Sequence, residues 1–73
     1  MTKDYQIENA TARERILDAA LEVIAKRGYS AAGVQEIVNL SSTSKGSFYF
    51  HFPSKEEMVL ALLERMSDKL IDK

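Results

Sequence analysis

The residues best able to do chemistry crowd into one run, Ser44-Lys45-Gly46-Ser47-Phe48-Tyr49-Phe50-His51-Phe52. Residues 37–55 carry Lys45, Lys55 and His51 and no carboxylate, whereas residues 1–36 hold five basic and six acidic side chains and residues 56–73 hold three and five. A balanced chain with net charge −1 thus has a single acid-free segment in its middle. Cations on such a segment suit the phosphates of a nucleic acid, whose neutralisation releases counterions and drives binding. Other chemistries lack their parts. The 73 residues include no cysteine and one histidine, so they hold no disulfide framework, multi-histidine or thiolate metal site, or nucleophile–base pair. A chain of this length also offers little concavity for a substrate. An enzyme is therefore not expected, nor is any cofactor.

The elements that must position the central run are helical. Thr11 and Glu14 are spaced as a capping box at the start of a first helix. Ile16, Leu17, Ala20, Leu21, Val23 and Ile24 follow at three- and four-residue spacings, one apolar stripe. Glu22 and Lys26 are ordered for an i,i+4 pair, Lys26 and Arg27 suit the helix dipole in the last turn, and Gly28 is a C-cap. A second helix is expected from about Gly33 to Leu40, with Val34, Ile37 and Val38 on its apolar side and Gly33 as a modest N-cap. Ser41-Ser42-Thr43-Ser44 then favours a turn, because hydroxyl side chains compete for backbone hydrogen bonds. Ser44 caps a third helix, Lys45 to about His51, and Ser54 with Glu57 forms a second capping box ahead of a fourth from Lys55. In that helix Val59, Leu62, Leu63, Met66 and Leu70 carry the apolar stripe to the chain's end. Residues 1–10 show no periodicity and read as a flexible tail.

Two short helices joined by a tight turn behind a longer one make a helix-turn-helix. A B-DNA major groove, about 12 Å wide and rimmed by phosphates, admits one α-helix. The entering helix needs slim residues outside and bulky ones inside. Lys45, Gly46 and Ser47 form such a slim face, while Phe48 and Phe52, four apart, belong to the core. Tyr49 is long enough to reach a phosphate, Phe50 points away from the core pair, and Lys55 stands in the first turn of the next helix, where free amides already favour an anion.

The run Gly28-Tyr29, Val34, Ile37, Ser44-Lys45-Gly46, Phe48-Tyr49, His51-Phe52 and Ser54-Lys55 resembles the DNA-binding domain of the tetracycline-repressor (TetR) family, over roughly residues 11–65. The resemblance implies an all-α, homeodomain-like three-helix domain within residues 11–73, its helix-turn-helix at about 33–52, followed by the start of a longer fourth helix from 55. It implies a bacterial transcriptional repressor that binds a palindromic operator in double-stranded DNA as a homodimer. Dimerisation and release by a small-molecule effector would belong to a C-terminal domain absent from these residues. Carried over by position, groove-facing roles fall on Lys45, Gly46 and Ser47, phosphate contacts on Thr43, Tyr49, His51 and Lys55, and an early second-helix contact on Gln35. Ser44, the cap, completes the DNA-binding set.

The sequence departs from the family pattern in the turn, where Ser41, Ser42 and Thr43 replace a small apolar residue, glycine and valine. Serine at a left-handed position is strained, and the Thr43 hydroxyl must find an acceptor, so a wider or less stable turn is expected. Arg13, Arg15 and Lys3, interleaved with Asp4, Glu8 and Glu14, read as solvated surface. A small helical protein-interaction module is the alternative function, since the fourth helix is amphipathic. Membrane-surface binding is disfavoured by Glu56, Glu57, Glu64, Asp68 and Asp72. With no apolar run of the ~18–20 residues that span a bilayer and no leader in Met1-Thr2-Lys3-Asp4, a cytoplasmic location is expected.

Overall fold

The structure, a computed structural model, describes residues 11–71, and side chains as far as residue 67. The expected tail at 1–10, with Lys3, Asp4 and Glu8, lies outside the described residues, as do the side chains of Asp68 and Leu70 and all of Asp72. Four helices follow one another: α1 Ala12–Arg27, α2 Val34–Ser41, α3 Lys45–His51 and α4 Lys55–Ile71. No strand occurs among the described residues.

Three of the four helices, α1, α3 and α4, begin where a side chain supplies an acceptor for an orphan amide. At α1 the Glu14 amide donates to Thr11 Oγ1 at 3.1 Å and the Thr11 amide to Glu14 Oε1 at 3.2 Å, a complete capping box. The helix ends at Gly28, whose φ of 83° lies where only glycine is at ease, and whose amide donates to the Ile24 carbonyl at 2.7 Å. Its buried face is Ile16, Leu17, Ala19, Ala20 and Val23. Leu21, expected on that stripe, is instead 41% exposed. At 3.6 residues per turn it stands roughly a third of a turn from the stripe's centre, and Ala19 takes the inward place.

The core joins that face to Ala32, Ile37 and Val38, to Phe48 and Phe52, and to Met58 and Leu62. Phe48 is completely buried, and its ring meets that of Phe52 at 5.8 Å between centroids. Burying one phenylalanine contributes about 1.5–3 kcal/mol, so these two rings anchor the seven-residue α3, too short to be stable alone. Pro53 ends α3 by forcing Phe52 into extended backbone, φ −136° and ψ 110°. Ion pairs among the described residues link different helices, Arg65 to Asp18 at 3.0 Å and Arg27 to Glu36 at 2.9 Å, and do not include Glu22 with Lys26.

The turn between α2 and α3 corrects the expectation of a wide connection. Helix α2 runs one residue further than expected, to Ser41, and Gly33 precedes it in extended conformation without a side-chain cap bond. Ser42 adopts φ 60° and ψ 40°, the left-handed geometry usually given to glycine. From there the Ser42 amide donates to the Asn39 carbonyl at 3.3 Å and the Thr43 amide to the Val38 carbonyl at 3.0 Å. These are the two bonds of a Schellman motif, closing the helix tightly despite the serine. The Thr43 hydroxyl finds its acceptor indirectly. It lies 2.7 Å from Ser41 Oγ, which in turn donates to the Val38 carbonyl at 3.2 Å. Arg15 Nε donates to the Ser41 carbonyl at 3.2 Å, tying α1 to the end of α2. Arg15 is thus held against the turn and is not the free surface cation its neighbours suggested.

Candidate nucleic-acid interface

Helix α3 sets Phe48 inward, with Phe52 just past its end, and leaves Lys45, Gly46, Tyr49 and Phe50 exposed. Ser44 caps it, its Oγ accepting from the Ser47 amide at 3.0 Å. Lys45 and Gly46 are exposed and Ser47 is half-buried. Tyr49 is 49% exposed, its ring packed edge-on against Phe48 at 5.0 Å, so the aromatic body is fixed while the flank remains open. His51 is half-buried between the rings of Phe50 and Phe52, at centroid separations of 5.0 Å and 6.2 Å.

Gly46 has no internal reason to be glycine. A Cβ built there would meet only Ser44 Oγ, at 3.7 Å, an ordinary contact. Its backbone is helical and right-handed. Glycine in a helix costs about 0.5–1 kcal/mol relative to alanine, so at this exposed position stability is forgone with nothing inside the protein gaining from it.

Lys55, in the first turn of α4, is held from below. Its Nζ lies 4.4 Å from the centroid of the Tyr29 ring, a cation–π contact. The Tyr29 phenol and the Glu56 carboxylate influence each other. Partial burial, and then Glu56, hold the Tyr29 phenol above its ordinary pKa. Glu56 is held below the usual carboxylate value, first by its own backbone amide, then by Tyr29, with smaller help from Ser54 and Lys55 against some desolvation. At this start of α4 the Glu57 amide donates to Ser54 Oγ at 3.1 Å, one half of the expected capping box; no return bond to the Glu57 carboxylate occurs among the described residues.

Ser44, Lys45, Gly46, Ser47, Tyr49 and His51 therefore lie on one short helix and its cap. Thr43 adjoins them in the turn, half-buried, with its hydroxyl shared with Ser41. Gln35 stands apart on α2, exposed, its Nε2 donating to Asn39 Oδ1 at 3.0 Å. Two further residues belong with the set. The Arg13 guanidinium sits 5.3 Å above the Phe52 ring, bringing a cation from α1 to the end of α3. Tyr29 supports Lys55. Both contacts cross long stretches of sequence, and no local spacing announces them. The glycine-tyrosine pair after α1 was the available signal for Tyr29. Among the described residues no cluster of histidine, aspartate and glutamate could hold a metal ion, and no helix is long and apolar enough to cross a membrane.

Comparison with known proteins agrees with this geometry. Residues 16–62 match the profile described as bacterial regulatory proteins, tetR family. The HTH-type transcriptional activator FasR of Mycolicibacterium smegmatis is 48% identical over 59 residues, covering 81% of this chain and 27% of that protein. The HTH-type transcriptional regulator QacR of Staphylococcus aureus is 45% identical over 51 residues, covering 70% and 27%. An uncharacterized HTH-type regulator of Bacillus subtilis, YuxN, is 44% identical over 54 residues, covering 74% and 19%. The chain thus spans between a fifth and a little over a quarter of the length of these relatives. No solved structure matches it. With a capped helix on a core that all four helices share, and a family profile matched across that core, the chain belongs to the TetR family of bacterial regulatory proteins.

Proposed function

We propose that residues 11–73 form the DNA-binding domain of a sequence-specific transcriptional repressor, with the helix-turn-helix at about 33–52 and α3 as the helix that enters the major groove. Lys45, Gly46 and Ser47 face the bases, Lys45 donating to guanine O6 and N7. Thr43, Tyr49, His51 and Lys55 engage phosphates and fix the register, Ser44 belongs to the set as the cap of α3, and Gln35 contributes from the start of α2. The stacked Lys55, with Tyr29 beneath it, suits a phosphate at the groove's rim. The domain is a binding module of a cytoplasmic regulator and not an enzyme.

The regulator works as a homodimer, its two α3 helices set about 34–36 Å apart on a palindromic operator. Dimerisation and release by a small-molecule effector belong to residues beyond those given. In support, Leu63 and Met66 on α4 are 55% and 43% exposed, apolar surface that the core of the described residues leaves uncovered. Activation in place of repression is the second reading, favoured by the name of FasR. The position of the operator relative to the promoter decides between them.

One observation carries the proposal: an exposed glycine on the outer side of α3 that nothing within the protein requires. A backbone that must approach another molecule closely explains it. Changing Gly46→Ala separates the two demands. Stability should rise by about 0.5–1 kcal/mol, while operator affinity falls by roughly 5- to 150-fold, the scale of one lost base contact at about 1–3 kcal/mol. Thermal unfolding and a mobility shift on the same variant measure both. A G46A protein that binds the operator as well as the parent refutes the groove-facing placement of α3.

A further inference from the structure

Phe50 is 83% exposed, the most exposed of the large apolar side chains described. Its position on α3 explains why. Phe48 and Phe52 are buried on the inner side, and at 100° per residue Phe50 falls opposite the midpoint between them. It stands four residues after Gly46, one turn along the same outward ridge. Its only described contact is the edge-on His51 ring at 5.0 Å. A phenylalanine left in water near the end of a face otherwise made of lysine, glycine, serine, tyrosine and histidine contributes nothing to the core. Its place is continuous with the candidate interface, so whatever meets Gly46 also meets Phe50.

The floor of a major groove offers hydrogen-bonding base edges and one apolar group, the C5-methyl of thymine, which phenylalanine is suited to contact. Four residues of helix advance about 6 Å, close to two base-pair steps of about 3.4 Å each. We infer that Phe50 is a specificity-determining residue whose ring packs on the C5-methyl of a thymine about two base pairs from the pair facing Gly46. The inference rests on the proposed DNA-binding function and adds to it a base preference that hydrogen bonding does not supply.

Deoxyuridine differs from thymidine only by that methyl, so it isolates the contact. The full-length protein is used to select its operator from random duplexes. Each thymine of a half-site is then replaced in turn by deoxyuridine, and dissociation constants are measured at fixed salt for the parent, Phe50→Ala and Phe50→Leu. At one position, replacement in a single half-site should weaken the parent about fourfold, the loss of one methyl contact at about 0.8 kcal/mol. Phe50→Ala should bind both duplexes equally, and Phe50→Leu should keep part of the discrimination. The parent's scan stands alone if a variant fails to fold. Selective binding that no deoxyuridine alters, or an F50A protein with the parent's full sensitivity, overturns the inference and leaves the proposed function intact. A change in oligomeric state on F50A without a change in that sensitivity likewise overturns it, by giving the ring to a second copy of the chain. A full-length protein that selects no duplex overturns the proposed function and this inference together.

Discussion

Replacing Ser42 with glycine should make the protein more stable, although the change removes atoms and adds no contact. Ser42 sits at φ 60° and ψ 40°, where an L-residue with a Cβ pays roughly 1–2 kcal/mol through crowding against the following carbonyl. Its side chain is exposed and makes no described hydrogen bond, so nothing on the native side is lost. Glycine has a larger conformational freedom to surrender from the unfolded chain, which takes back about 0.4–1 kcal/mol. The net gain is about 0.5–1 kcal/mol. For a domain of this size each kcal/mol moves the thermal midpoint by about 4–8 °C, so Ser42→Gly should raise it by about 2–8 °C. Circular dichroism at 222 nm during a thermal ramp is sufficient to see this. Ser42→Ala is the control, since it keeps the Cβ and the left-handed strain and should give no rise. A midpoint unchanged in S42G, or raised equally in both variants, would show that the turn does not store the strain assigned to it.

The other expectations concern the turn and the start of α4. Arg15→Met keeps the aliphatic stem and removes the donor to the Ser41 carbonyl. It should cost roughly 1.5–3 kcal/mol, the range for a hydrogen bond from a charged group, read as a lower denaturation midpoint with unchanged slope. Glu56 has its folded pKa lowered by its own amide and by Tyr29. Its contribution is therefore present above the unfolded carboxylate value of about 4.3 and is lost as pH falls through the lower folded one. The stability difference between the parent and Glu56→Gln should accordingly be constant near neutral pH and shrink below about pH 4.3. A difference that grows on acidification contradicts that reading.

Local signals were readable in the sequence, and long-range contacts were not. The Thr11–Glu14 box, Gly28 and the Phe48/Phe52 pair all rest on interactions within five residues, and the structure places each as its spacing predicts. Leu21 was misplaced because an apolar residue at a stripe's edge satisfies the same spacing as one at its centre. Arg13 and Arg15 were read as free because the partners that hold them, Phe52 and Ser41, come from α3 and the end of α2. The strain at Ser42 was foreseeable from the glycine that the resembled family carries at that place in the turn. The tightness of the turn was not, because it depends on the Schellman bonds forming in spite of that strain. The Tyr29 support of Lys55 likewise appears only once α4 has folded back beside the end of α1.

The two hydroxyls that meet in the turn, Ser41 and Thr43, lie 2.7 Å apart and share one exit to the Val38 carbonyl. They are therefore not independent sites. Losing the inner hydroxyl alone strands the outer one beside a half-buried vacancy, whereas exchanging both for apolar residues of like shape leaves no polar group in want of a partner. An evolutionary path between this polar turn and an apolar one crosses a less stable single mutant in the middle. The two positions should consequently change together along any lineage that has passed between the two chemistries.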